Sequence, residues 1–216
     1  MDHLAFWQDR YESIFGYMWE HFIISFTIVV CSILLTIPLA IWMTKMKNEK
    51  IKNLIFNIAN IFQTIPTVAM LAIMIPIFGI GFVPAVVALF LYALLPLLRN
   101  TYAGVQSIDQ SMVEAAKGMG FSTFGRVVRV ELPAAFPYIM SGIRITTVYI
   151  ISWTTLAALI GAGGLGDLVL AGIGYNDQHM IFTGTFLAII IALLIDLLYG
   201  RFEKRLLNNK NEVVSS

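Results

Sequence analysis

The sequence predicts an all-α integral membrane protein, built as a single transmembrane domain over residues 1–216 with five membrane-spanning helices. Of its 216 residues, 58% are hydrophobic, against about half in an ordinary soluble domain. Apolar runs of about 20 residues, the length that crosses a bilayer as a helix, recur along the chain. The predicted spans are 22–43, 54–78, 85–99, 138–160 and 180–199.

The first span follows an acidic N-terminal segment that is rich in aromatic residues. Residues 1–21 carry four carboxylates against one arginine, which is the wrong charge for the n-region of a cleavable signal peptide. Trp7, Tyr11 and Trp19 predict an amphipathic stretch at the membrane interface. Cys31, the only cysteine, lies in the first apolar run and cannot form an internal disulfide.

Charge segregation between the spans predicts the orientation. We place the lysine-rich loop 44–52 in the cytoplasm and alternate from there. The loop 109–133, with its cations Lys117, Arg126 and Arg129, and the basic C-terminal tail then fall inside, while the acidic N-terminus and the segment 161–179 fall outside. Positive charge is thus cytoplasmic at every loop. The pattern predicts that the N-terminus is outside and the C-terminus cytoplasmic.

The loop 109–133 is the longest polar stretch away from the chain ends. It predicts a short helix from Met112 to Lys117, which Gly118 and Gly120 end. The small side chains of Ala115 and Ala116 would let a partner protein approach this helix closely.

A second short helix is predicted in the same loop. It begins near Ser122, a favourable N-cap residue, and Pro133 and Pro137 are expected to end it. Arg126 and Arg129 leave an alternative open, in which the loop is an amphipathic helix that rests on the membrane surface.

The loop also carries fixed residue types at fixed spacing: Glu114, Ala115 and Ala116, then Gly120, then Val130, Leu132 and Pro133. This pattern resembles the EAA signature of ABC importer permeases, with Val130 where isoleucine is usual. The resemblance implies a methionine-importer-like type I permease fold in a bacterial cytoplasmic membrane. It also implies that the loop docks in a groove of a cytoplasmic ATPase. The residues implied to couple the two proteins are Glu114, Ala115, Ala116, Gly120, Leu132 and Pro133.

Further stretches resemble the permeases of glycine betaine, carnitine and choline importers: Phe62–Ala69, Pro76–Gly81, Arg99–Thr101 and Leu159–Gly166. The implied partners are a second permease chain, identical or related, two ATPase subunits, an extracytoplasmic solute-binding protein and the lipid bilayer. No nucleic acid is implied. The implied mechanism is alternating access, in which ATP binding closes the ATPase pair and the coupling helices move the spans.

No nucleotide site is predicted on this chain. The sequence contains no G-x-x-x-x-G-K-[ST] loop, so ATP and Mg²⁺ are expected on the partner ATPase, and this chain is expected to be non-catalytic and without a cofactor. The run 161–166 matches G-x-G-x-x-G letter for letter, but it lies between membrane spans rather than in a βαβ unit. We therefore interpret it as a tight or re-entrant segment.

Polar and aromatic residues inside the predicted spans are candidates for the translocation path. Thr146, Tyr149 and Trp153 have the spacing of one helix face, and aromatic rings attract cations that lack hydrogen-bond donors. Packing against a neighbouring span is the alternative, and we favour it. Gln63 and Thr64 are expected to face protein or a water-filled path, beside a kink at Pro66.

Isolated ionisable residues in the spans receive structural interpretations. Asp196 is expected to pair locally near Arg201, and Arg144 to reach the inner membrane surface. The three histidines, His3, His21 and His179, do not have the spacing of a metal site.

Three other functions are compatible with parts of this pattern. One is an importer permease for another small solute such as methionine. An ion-coupled secondary transporter would need more spans and internal repeats than the chain offers. A membrane enzyme would need a cluster of catalytic side chains that the sequence does not contain.

Overall fold

The computed structural model describes residues 3–214, and their side chains except those of residues 3–5, 9 and 204–214. No strand occurs between residues 3 and 214, and the predicted all-α class is confirmed. A π-helical segment (Val127–Glu131) precedes α7, and a 3-10 turn (Ala158–Ile160) follows it. The α-helices in this range are α1 (His3–Lys45), α2 (Glu49–Thr64), α3 (Thr67–Phe78), α4 (Phe82–Gln106), α5 (Gln110–Gly118), α6 (Thr123–Arg126), α7 (Leu132–Ala157), α8 (Leu165–Tyr175) and α9 (Gln178–Val214).

Within the described residues, four helical stretches are long and apolar enough to cross a membrane, and α2 with α3 makes a fifth if a bent pair counts as one span. The described residues thus offer four or five candidate spans. The predicted number of five and the predicted orientation both stay predictions. At eleven residues, α8 is too short to cross a bilayer. The four stretches are Arg10–Lys45, Phe82–Gln106, Thr123–Ile160 and Gln178–Glu203.

The predicted second span, 54–78, is not one continuous helix. Its two halves, α2 and α3, meet at an angle of 102°. Ile65 adopts an extended conformation (φ −70°, ψ 130°), which the steric clash with a following proline favours over the helical region. Pro66 therefore breaks this segment where the sequence predicted only a kink.

The prediction that Pro133 and Pro137 end the second loop helix is wrong. The helical stretch that begins after Ser122 continues through the π-helical segment into α7 as far as Ala157. Pro133 lies just after the π-helical segment, at whose end the Leu132 N–H bonds to the Val127 carbonyl, and the helix continues through it. The predicted start of the fourth span at 138 lies six residues after the start of α7 at Leu132 and fifteen after the start of the whole helical stretch at Thr123.

The core forms around α4, which packs against both α1 and α7. Ile28, Leu89 and Ile150 are fully buried in this contact. Gly142 lets α7 approach α4 closely, since a Cβ at this position would lie 2.7 Å from the Cβ of Asn100. Small residues have this role at many helix contacts in membranes.

The N-terminal segment and the first span form one helix, α1. Beyond the apolar span, the Glu20 carboxylate accepts a hydrogen bond from the Gly164 N–H at 3.0 Å. The buried His21 ring nitrogen lies 3.1 Å from the Ile151 carbonyl oxygen. The first contact holds α1 against the segment that follows α7, and the second holds it against α7 itself.

Candidate functional site

The loop helix α5 begins two residues earlier than predicted, and its start has a side-chain cap. The Asp109 carboxylate accepts the backbone N–H of Ser111 at 2.8 Å. Hydrogen bonds from the backbone and the side chain of Ser111 lower the pKa of the Asp109 carboxyl. An aspartate at this position satisfies a free N–H of the first turn, so the sequence defines the helix start locally.

The end of α5 is a Schellman motif centred on Gly120. The Phe121 N–H bonds to the Ala116 carbonyl at 3.2 Å, and the Gly120 N–H bonds to the Lys117 carbonyl at 2.9 Å. Gly120 has φ +79°, a conformation that glycine adopts at no steric cost. The prediction that glycine ends this helix is confirmed, and Gly120 rather than Gly118 has this role.

The next turn starts at Ser122, as predicted. Its hydroxyl oxygen accepts the Gly125 N–H at 3.1 Å, which is the N-cap geometry. The π-helical segment follows directly, and such segments occur often at functional sites. The loop is therefore a helix, a turn and a second helix that leads without a break into α7.

The six residues implied to couple the chain to an ATPase divide into two groups. Glu114, Ala115 and Gly120 are exposed on the loop. Ala116 is 1% exposed, while Leu132 and Pro133 are half-buried. Ala116 therefore does not supply the close approach to a partner for which the sequence suggested it, because its methyl group packs inside the loop. Ala115 remains available.

Exposed apolar side chains on the loop were missed in the sequence. Met112, Met119 and Phe124 are 47%, 69% and 77% exposed. Met112, Ala115 and Met119 have the i, i+3, i+7 spacing of one helix face, and this periodicity was a signal that could have identified them. We call Met112, Ala115, Met119 and Phe124 the loop apolar face. Next to it, Gly120, Ser122 and Val128 contribute to a groove of about 650 Å³.

A buried ion cluster, also missed, ties the loop to α1. Glu131, at the end of the π-helical segment, is 2% exposed. Its carboxylate accepts the Arg126 Nε–H at 2.9 Å and a hydrogen bond from the Lys45 ammonium group. Because Lys45 is the last residue of α1, this cluster fixes the second half of the loop against the first membrane helix.

On the coupling role that the resemblance implies for this loop, we expect the replacement of Gly120 by valine to reduce uptake strongly while the protein still inserts in the membrane. Nothing lies within 4 Å of a Cβ at Gly120, so the effect comes from backbone strain of about 1–3 kcal/mol at a positive φ. Uptake per ATP hydrolysed and the amount of protein in the membrane measure the two effects separately.

Gly118→Val is the matched control for this substitution. A Cβ at Gly118 also meets nothing within 4 Å, and its φ is not positive. Normal coupled uptake by Gly120→Val would remove the role assigned to the loop geometry.

Of the predicted path residues, Gln63 and Thr64 lie at the break between α2 and α3. The Gln63 amide nitrogen donates to the Tyr92 carbonyl oxygen at 3.2 Å. The Thr64 hydroxyl donates to the Ile61 carbonyl at 2.8 Å, and its side chain is exposed. Tyr92, which the sequence did not single out, donates its hydroxyl proton to the Ile65 carbonyl. Three helices thus meet at this break.

On α7, Tyr149 and Trp153 are neighbours, as their spacing predicted, with ring centroids 5.4 Å apart. Thr146 does not share their surface. It is 2% exposed, and its hydroxyl oxygen has no hydrogen-bond partner among the described residues. The structure therefore brings the two aromatic residues together and turns the threonine inward.

Asp196 pairs with Arg144. The sequence predicted a local partner near Arg201 instead. The Arg144 guanidinium donates to both carboxylate oxygens of Asp196, at 2.5 and 2.7 Å. A Glu203 oxygen lies 3.9 Å from the same guanidinium. The pair joins α7 to α9, a contact between residues 52 positions apart that the sequence could not reveal.

The described histidines have separate environments. His21 is buried against α7, and the His179 ring stacks on Phe6 with centroids 5.8 Å apart. The side chain of His3 lies outside the described residues. Among the described side chains, no three His, Cys, Asp or Glu residues come together as possible metal ligands.

The fold matches a solved structure of the MetNI methionine ABC transporter in an inward-facing conformation. The TM-score is 0.78 at 26% sequence identity, over 87% of this chain and 93% of that chain. The fold is therefore that of an ABC transporter permease. The chain belongs to the family of binding-protein-dependent transport system inner membrane components, which matches residues 36–208. Membership confirms the predicted class and the predicted location in the inner membrane.

Curated relatives cover nearly the whole chain. The carnitine transport permease protein OpuCB of Listeria monocytogenes is 38% identical over 94% of this chain and 92% of its own length. The choline transport system permease protein OpuBB of Bacillus subtilis is 43% identical, over 87% and 86%. The glycine betaine/carnitine/choline transport system permease protein OpuCB of Bacillus subtilis is 41% identical, over 86% and 85%.

Proposed function

We propose that this chain is the permease subunit of an ATP-driven importer for quaternary-ammonium osmoprotectants such as glycine betaine, carnitine and choline. The observation that carries the proposal is the similarity to three permeases of such solutes at 38–43% identity over at least 86% of this chain. The chain itself is non-catalytic, and ATP and Mg²⁺ bind to a separate ATPase.

The loop between α4 and α7 docks in a groove of that ATPase. The exposed Glu114, Ala115 and Gly120, together with the loop apolar face, are the surface available for contact. Apolar side chains that are exposed on a cytoplasmic loop favour a protein partner, because burial of their area stabilises the complex. The other three coupling residues, Ala116, Leu132 and Pro133, are buried or half-buried, so they stabilise the conformation of the loop.

Import proceeds by alternating access between two permease chains. A solute-binding protein delivers the ligand on the outer side, where the N-terminus lies. ATP binding draws the ATPase subunits together, and each docked loop moves with its subunit. The ion cluster of Lys45, Arg126 and Glu131 supports this mechanism, since it makes the second half of the loop move with α1 and α7.

An importer permease for methionine is the second candidate. The fold similarity to MetNI supports it, at 26% identity. The higher identity to the permeases of quaternary-ammonium solutes favours the first candidate.

Uptake of labelled glycine betaine, carnitine, choline and methionine decides between them. We would use cells that lack their own betaine carriers and express the whole operon with and without this gene. We expect gene-dependent uptake of at least one trimethylammonium solute. Uptake of methionine alone would retain the transporter class but contradict the substrate class.

A further inference from the structure

Three aromatic rings, tilted against one another by 59° and 37° and here called the stack, lie beside the break between α2 and α3. Trp153 is in the middle, with its ring centroid 5.0 Å from that of Tyr92 and 5.4 Å from that of Tyr149. Exposure rises along the stack, from 3% at Tyr92, through the half-buried Trp153, to 47% at Tyr149. The stack therefore runs from the core of the helix bundle to its surface.

The innermost ring is attached to the broken helix. The Tyr92 hydroxyl donates to the Ile65 carbonyl, in the break itself. The backbone carbonyl of Tyr92 accepts the Gln63 side-chain amide at 3.2 Å. Tyr92 is thus held at its side-chain hydroxyl group and at its backbone carbonyl. Because its ring contacts Trp153, it also fixes the position of Trp153 relative to the C-terminus of α2.

The groups at this place that can attract a cation are the aromatic rings and not the helix ends. The C-terminus of α2 (Thr64) carries the negative end of its dipole, but the N-terminus of α3 (Thr67) carries the positive end of its own, and the two oppose each other at the break. The faces of the aromatic rings are negative. The only charged residue of α4, Arg99, lies about two turns from Tyr92 and donates to Asn60 at 2.9 Å.

We propose that Trp153 and Tyr149 form a transit site for the quaternary-ammonium group of the solute, with Tyr92 as a positioning residue behind them. This inference rests on the proposed function. A trimethylammonium group has no N–H to donate, so carbonyl oxygens cannot bind it by hydrogen bonds, whereas ring faces attract it directly. Broken helices near the middle of the membrane supply ion sites of this kind in other transporters.

The affinity of this site for the cation is expected to be low. Two aromatic rings attract the cation by much less than a buried ion pair would. A site through which solute passes must also release it, so weak binding suits transport. The chemistry selects a bulky organic cation over a small hydrated one, because the rings replace little of the hydration shell of Na⁺.

The first test is transport by the complete complex in proteoliposomes, with the ATPase, the binding protein and the second permease chain. We expect Trp153→Leu to lower choline uptake per ATP hydrolysed about tenfold, and Trp153→Phe to retain most of it. Trp42→Leu is the control, since Trp42 is a 56% exposed aromatic residue of α1. An unchanged ratio in Trp153→Leu would overturn the inference.

The second test measures binding directly. In the permease–ATPase complex labelled with fluorotryptophan, the ¹⁹F signal of Trp153 is assigned by its loss in Trp153→Phe. We expect choline to shift this signal saturably and its neutral isostere 3,3-dimethyl-1-butanol to leave it in place. Tyr149→Leu should weaken the choline response severalfold. An equal response to both compounds would contradict cation recognition.

The outcomes separate this inference from the proposed function. If the parent complex transports choline or another trimethylammonium solute but Trp153→Leu transports it equally well, only the transit site is wrong. If the parent complex transports none of these solutes, the proposed substrate class is wrong as well.

Discussion

Replacement of Glu131 by alanine is expected to lower the stability of the protein by roughly 3 kcal/mol and to abolish most uptake. The Glu131 carboxylate is 2% exposed and faces two cations, Lys45 and Arg126. Its removal leaves a largely buried guanidinium without its partner, since Arg126 is 12% exposed. The loss can be measured as a lower aggregation temperature in detergent, together with uptake in cells.

A second glutamate of the same loop provides the control. Glu114 is exposed and, apart from a hydrogen bond at 3.4 Å from Gln110, projects from α5. We expect Glu114→Ala to leave the aggregation temperature unchanged and to reduce uptake through its contact with the ATPase. If both variants behaved alike in the two measurements, a specific anchoring role for Glu131 would be contradicted.

Features with local causes could be predicted from the sequence. Ser122 caps the helix that follows it, and Gly120 ends the helix before it, because a single side chain or a single φ angle decides each feature. The apolar runs likewise located all the long helices, since their length and composition are enough. The position of the break at Pro66 was predicted correctly, but its angle of 102° was underestimated. A proline in a membrane helix can either kink the helix or interrupt it, and the sequence does not distinguish the two.

Features that depend on contacts between distant residues could not be predicted. Glu131 meets Lys45 across 86 positions, and Tyr92 meets Ile65 across 27. Neither partner carries a local signal for the other. The burial of Ala116 could not be predicted from the sequence either. It stands next to Ala115 in the motif, yet Ala116 is buried and Ala115 is exposed. Which of the two is buried depends on the orientation of α5 about its own axis relative to the rest of the loop.

Replacement of Asp196 by leucine is expected to lower the amount of folded protein, by the equivalent of about 2 kcal/mol. Its carboxylate binds the Arg144 guanidinium through two hydrogen bonds between membrane helices. An unpaired arginine at that depth must draw water into the bilayer or move toward its surface, and either change separates α7 from α9. The fraction of the protein that remains monodisperse after extraction from the membrane measures this effect.

Two further variants test whether the pair itself, and not the loss of one polar group, is responsible. Glu203→Gln should have little effect, because the Glu203 oxygen is 3.9 Å from Arg144 and forms the weaker of the two contacts. The exchange Arg144→Asp with Asp196→Arg should recover a substantial part of the folded protein, since it restores opposite charges on the two helices. If the exchanged variant were as unstable as Asp196→Leu, the pair would not be what joins α7 to α9, and helix packing alone would account for their contact.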